Sequence, residues 1–111
     1  MKPMELALKY LEIFFSGENL DDMNNLFTDD LTFDGPLYKF SSADNYINSL
    51  KKDPPKGMKY KIIKSFENKN SACVIYQFTK ENVSTPMAQL FETENGKIRG
   101  IVLIFDSKDF E

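Results

Sequence analysis

Phe33-Asp34-Gly35-Pro36-Leu37-Tyr38 is the stretch on which the reading of this chain turns. Proline fixes its own φ and offers no N–H, so Leu31-Thr32-Phe33 reads as a short strand that Gly35-Pro36 breaks. Upstream of this point the apolar residues recur at helical spacing. Residues 3–16 predict an amphipathic helix with Pro3 in its first turn and Leu6, Tyr10, Leu11, Phe14 and Phe15 on one side. Ser16-Gly17 stops it, and Asn19 caps a shorter helix over about 20–27 carrying Leu20, Met23, Leu26 and Phe27. Thr28-Asp29-Asp30 then reads as a turn. Downstream of the break, Ser41 or Ser42 caps a third helix over about 43–52, with Tyr46, Ile47 and Leu50 inward, ended by Pro54-Pro55-Lys56-Gly57.

From Met58 onward the period changes to two. Strands are expected over about 58–67, 71–80, 84–94 and 97–106, with Asn68-Lys69-Asn70 and Asn95-Gly96 as hairpin turns. The order is ααβαββββ, an α+β chain whose N-terminal helices pack on one face of a mostly antiparallel sheet. A sheet bent around a helix leaves a hollow between them. The last strand is apolar on both faces, Ile101, Leu103 and Phe105 against Val102 and Ile104, which implies cover on both sides. A second copy of the chain, a homodimer through the outer sheet face, is the economical cover for Ile75, Phe91, Val102 and Ile104. Scattered exposed apolar residues are the alternative.

Composition narrows the chemistry. The 111 residues suit one domain, 1–111, that buries its own core. A formal charge of −3 gives no field to attract nucleic acid or an anionic membrane, and no apolar run is long enough for a membrane span. One cysteine, Cys73, excludes an internal disulfide and fits a reducing, cytoplasmic location. The absence of histidine removes imidazole bases, Ser-His and Cys-His pairs, and histidine-ligated metals together. No metal and no cofactor are expected.

Several pieces carry a family resemblance: the Tyr10-to-Phe15 helix ending in Ser16-Gly17-Glu18-Asn19-Leu20, then Asn25-Leu26-Phe27-Thr28-Asp29-Asp30, Phe33-Asp34-Gly35-Pro36, and Asn95-Gly96-Lys97-Ile98 through Ile104-Phe105-Asp106. In this order and spacing the chain resembles the NTF2-like superfamily, and within it the SnoaL-like or ketosteroid-isomerase-like group. The resemblance spans nearly the whole chain and implies a cone-shaped pocket under a strongly curved sheet. That pocket serves isomerases, cyclases, dehydratases, hydrolases and non-catalytic binders alike, so fold does not convert into reaction. The isomerase-like positions depart from the pattern. The helix tyrosine falls on Leu11 with Tyr10 adjacent, the proton-shuttling aspartate near Gly35 with Asp34 adjacent, and the oxyanion aspartate on Ala88. The epoxide-hydrolase-like pattern of two aspartates around an arginine meets only Arg99, with no aspartate in its strand before Asp106.

The candidate residues follow. Asp34 is either a general base at a strand end or a turn residue bonding nearby backbone. Tyr76 and Tyr10 are hydroxyl donors to a ligand or core tyrosines bonded within the protein. The expected apolar lining comprises Leu11 and Phe14 from the first helix, Phe33 from the first strand and Tyr46 from the third helix. Val74 and Phe78, Ala88 and Leu90, and Ile101, Leu103 and Phe105 complete it from the later strands. Arg99, sharing parity with Ile101, is a carboxylate clamp at the rim or an exposed turn arginine. Lysines 51, 52, 56, 59, 61 and 64 are better explained as a defended edge than as a phosphate site. The favoured reading is a binder of a small hydrophobic molecule. An isomerase, cyclase or dehydratase using Asp34 with Tyr76 or Tyr10, and a protein-interaction module using the outer face, are the alternatives.

Overall fold

The computed structural model describes residues 1–111. Helix α1 spans Pro3–Ser16 and α2 spans Ala43–Lys52. Six strands follow the order β1 Phe27–Asp34, β2 Lys39–Phe40, β3 Met58–Glu67, β4 Ser71–Lys80, β5 Val83–Glu94 and β6 Lys97–Ile104. Short 3-10 turns occupy Leu20–Asn25 and Ser107–Phe110. The helix ends obey the local chemistry. Glu5 reaches back to the Lys2 N–H, Gly17 turns left-handed at φ 67°, and Ser42 Oγ accepts from the Asn45 N–H at 3.1 Å. No helix is long and apolar enough to cross a membrane.

The strands form one curved, unclosed sheet in the order β2-β1-β6-β5-β4-β3. Every pairing is antiparallel except β1 with β6. The parallel pair lets the end of the chain return beside its beginning, and both helices lie across the concave face. Leu6, Ala7, Tyr10 and Leu11 of α1 meet Val74, Phe91, Ile98 and Ile101 of the sheet in one buried core. This is the expected α+β cone.

Three local expectations are corrected. The second helix is a 3-10 turn that ends at Asn25, and the chain is already in strand at Phe27. Thr28-Asp29-Asp30 resembles a turn because it lies in an irregularity: Phe27 pairs with Ile98 and Thr32 with Gly100, so the polar trio bulges from the ladder. The last strand stops at Ile104, and Asp106 caps a final turn by accepting from the Lys108 N–H at 3.0 Å.

Bulges also reset two strand faces. In β3 the register shifts between Ile62 and Lys64, so Tyr60 faces inward opposite Phe78 while Phe66 faces outward opposite Cys73. In β6 a shift beside Thr93 places both Ile98 and Ile101 inward and leaves Arg99 exposed. The parity that coupled Arg99 to Ile101 is therefore lost.

Candidate functional site

A cavity of about 630 Å³ opens between the two helices and the concave sheet face. That volume lies within the range of small-molecule sites, ~300–1,000 Å³. Its walls are rings: Phe14 and Phe15 from α1, Phe33 from β1, Phe40 from β2, and Phe78 from β4. They are packed against one another. Tyr46 stacks on Phe33 with centroids 4.7 Å apart, and Phe15 stacks on Tyr60 at 4.4 Å. Offset stacking of this kind holds the rings in fixed positions. The break at Gly35-Pro36 supplies one side of the mouth, and the α2–β3 loop, Asp53 to Lys56, supplies another.

Beneath the rings lies a chain of four buried polar groups. The Tyr10 and Tyr46 hydroxyl oxygens are 2.5 Å apart. Gln89 Nε2 approaches the Tyr10 hydroxyl at 3.5 Å, and the Tyr76 hydroxyl donates to Gln89 Oε1 at 2.9 Å. Each member comes from a different element, and each is 3% exposed or less. Burial pushes the Tyr10 phenol up to about 12, partly offset by its bonds to Tyr46 and Gln89. Burial, reinforced by the neighbouring Tyr10, also raises Tyr46 and Tyr76. The floor is therefore neutral near pH 7.

A proton count shows what this floor offers. Three tyrosines carry three hydroxyl protons. One serves Gln89 Oε1, and one lies between Tyr10 and Tyr46. The remaining proton, on Tyr46 if Tyr10 donates within the pair and on Tyr10 if Tyr46 does, has no acceptor among the protein's side chains. Both tyrosines line the cavity.

Of the residues expected at the site, Tyr10, Phe14, Phe33, Tyr46, Tyr76, Phe78, Leu103 and Phe105 line the cavity. Leu11, Val74 and Ile101 are sealed in the core behind it, at 0%, 0% and 1% exposure. Asp34 stands outside, on the β1 edge of the outer face opposite Val102, with its carboxylate 2.8 Å from Lys39 Nζ. Arg99 points to solvent, 4.0 Å from Glu94. Asp34 and Arg99 thus do not meet the tyrosines.

Ala88 and Leu90 are corrected to the outer face. Ala88 pairs with Ile75 and Ile104, and Leu90 with Cys73 and Val102. The inward residues of β5 are Met87, Gln89 and Phe91, so Phe91 is also removed from the outer face. Alternation groups the residues of a strand but does not say which group faces in. Gln89 made the wrong group look polar. It is buried because two tyrosines, Tyr76 and Tyr10, satisfy it, a relation among distant segments that no local pattern carries.

The chain belongs to the SnoaL-like domain family, whose model matches residues 7–101. Among solved structures it resembles an NTF2-like protein of unknown function from Cytophaga hutchinsonii, with TM-score 0.84 and 24% identity over 100% of this chain and 96% of that one. It also resembles an LEH-like epoxide hydrolase from M. tuberculosis, with TM-score 0.72 and 17% identity over 95% and 86%. A protein from Jannaschia sp., provisionally described as a SnoaL-like polyketide cyclase, gives TM-score 0.80 and 12% identity over 97% and 88%. These likenesses establish a shared fold. A search of curated proteins finds no match.

Proposed function

We propose that this chain binds a small, largely apolar molecule in the cavity and orients it with one neutral hydrogen bond from the Tyr10–Tyr46 pair. The observation that supports this reading is the unclaimed hydroxyl proton at the floor of a ring-walled hollow. Burial of apolar ligand surface supplies the affinity, at ~25 cal/mol per Å² before the costs of association. The unclaimed proton selects a ligand with an acceptor oxygen, such as a ketone or ester carbonyl.

An enzymatic reading needs a base. Asp53, at the rim, is the one carboxylate among the lining residues, and Asp34 is held by Lys39 outside. Binding is therefore the better-supported function. Thermal unfolding against steroid ketones, aromatic polyketide-like ketones and their deoxy counterparts tests it. A ligand at 100 times its dissociation constant adds about 2.7 kcal/mol. The Tyr10→Phe/Tyr46→Phe double variant should remove about tenfold of the preference for the ketone, the worth of one hydrogen bond, since either single change leaves one hydroxyl of the pair unclaimed. Absence of a shift with every apolar compound would refute the proposal.

We further propose that the outer sheet face meets a second copy of the chain. Two adjacent cross-strand rows there are largely apolar: Phe66-Cys73-Leu90-Val102, and Ile75-Ala88-Ile104 flanked by Lys64. Phe66 and Ile104 are 53% and 59% exposed in the single chain.

A further inference from the structure

We infer that the ligand of this cavity is an amphipathic anion, an apolar body ending in a carboxylate that sits at the mouth against Lys80 and Lys56. The inference rests on the proposed binding function and specifies its ligand class. Along β4 the inward residues run Ala72, Val74, Tyr76 and Phe78, all buried, and the next residue of that face is Lys80. Alternation calls for an apolar side chain there. A lysine is present instead, half-buried, lining the cavity and opposite Met58 across the β3–β4 ladder.

Lys80 has no acidic partner within ion-pair distance, and neither does Lys56, which lines the same mouth from the loop preceding Met58. Only Lys39, with Asp34, and Lys51, with Asp21, are ion-paired among the lysines, so what sets Lys80 apart is its inward position on the strand and its place in the cavity lining. Lys52 also reaches the mouth, but it closes the last turn of α2, where the helix dipole favours a cation. Lys56 is an exposed loop residue, whereas Lys80, on the inward face of a strand, has no such local reason. Asp53 is the single acid of the lining and pairs with none of them, so the mouth is net positive. A half-buried lysine without a counter-ion, Lys80, favours an anion in that position, and the exposed Lys56 adds its charge beside it. The neutral tyrosine floor, by contrast, has no charge to offer. The cavity is therefore polarised, with a hydrogen-bond donor inside and cations at the entrance.

Binding to the full chain, read by tyrosine fluorescence and thermal shift, tests this with matched probes. Decanoate, decanol and decylammonium form one series, and naphthylacetate with naphthylethanol another. In low salt the carboxylate should bind about tenfold tighter than its alcohol in at least one series, and the advantage should shrink as salt screens it. Lys80→Met, which keeps an apolar stem, should cut the advantage to about twofold, and Lys80→Arg should restore it. Lys59→Gln, a change on the outer side of β3, should leave it intact. Equal binding of alcohol and carboxylate, or tighter binding of decylammonium, would overturn the anion assignment while leaving apolar binding in place. Binding by no probe in either series would overturn both.

Discussion

Replacing Gln89 with leucine tests whether the polar floor is a dry, closed network. Tyr76 donates to Gln89 Oε1 at 2.9 Å, and both side chains are buried. Leucine removes the acceptor and strands the Tyr76 hydroxyl, at a cost of about 1–3 kcal/mol. The second bond, Gln89 Nε2 to Tyr10 at 3.5 Å, is long and adds little. Leucine recovers part of the lost packing, so the net expectation is about 2 kcal/mol. In a chain of this size that lowers the midpoint by about 8 °C. Tyr76→Phe alone strands the glutamine oxygen instead and costs about 1–2 kcal/mol. The double variant leaves neither group stranded, so its cost falls below the sum of the singles by about 1–2 kcal/mol. Urea unfolding at unchanged slope gives all four stabilities. A coupling below about 0.5 kcal/mol would refute the reasoning, because it would mean that solvent replaces the missing partner.

Four other outcomes are expected. Thr28→Val should stabilise the fold by about 1 kcal/mol in denaturant unfolding, since the buried Thr28 hydroxyl has no partner and valine keeps its shape. Gly17→Ala should cost about 2–4 kcal/mol, because the residue has φ +67° and an added Cβ would lie 2.3 Å from the Pro55 carbonyl oxygen. Stability should be constant in alkali up to the ordinary tyrosine range and then fall between about pH 10 and 12. The raised Tyr10 makes the unfolded chain lose its proton first, and this group alone accounts for about 3 kcal/mol by the end of that window, read by denaturant titration at each pH. Ile104→Asp should convert a sedimenting dimer to a folded monomer; a wild-type chain that sediments as a monomer would end the homodimer proposal.

The helices were legible because their signals are local. Pro3, Gly17, Ser42 and the Pro54-Pro55 pair mark ends by backbone chemistry that acts within a few residues. Strand existence was legible for the same reason, since alternation is a short-range pattern. Which face points inward was not, wherever a bulge intervened. The shift in β3 after Ile62 has no glycine or proline to announce it, and the one beside Thr93, between Ile98 and Gly100 on β6, separates the face of Arg99 from that of Ile101. Gly35-Pro36 read as the end of the first strand and lies in the cavity lining, yet the adjacent Asp34 belongs to the outer face because strand β1 continues through it. The polar floor joins residues 10, 46, 76 and 89 from four elements. Tyrosines at the first three positions were visible as candidates, but Gln89, which bonds two of them, carries no local signal that sets it apart from an ordinary polar strand residue.

The distribution of ionisable groups decides what this cavity can do to a guest. Its inner surface holds only tyrosines, and burial raises all three that reach the floor, so they donate hydrogen bonds without becoming bases near neutral pH. A phenol that stays protonated stabilises an oxyanion or a carbonyl oxygen equally well in kind, but it withdraws no proton from carbon. The groups able to carry charge, Asp53 with Lys52, Lys56 and Lys80, stand at the mouth, where they act on the part of a guest that remains near water. On the proposed binding function, recognition would be divided along the depth of the hollow: apolar contact and neutral donation inside, charge selection at the entrance. A proton transfer at the floor would have to use a base carried in by the guest itself, and for that reason the same geometry favours holding a molecule over transforming it.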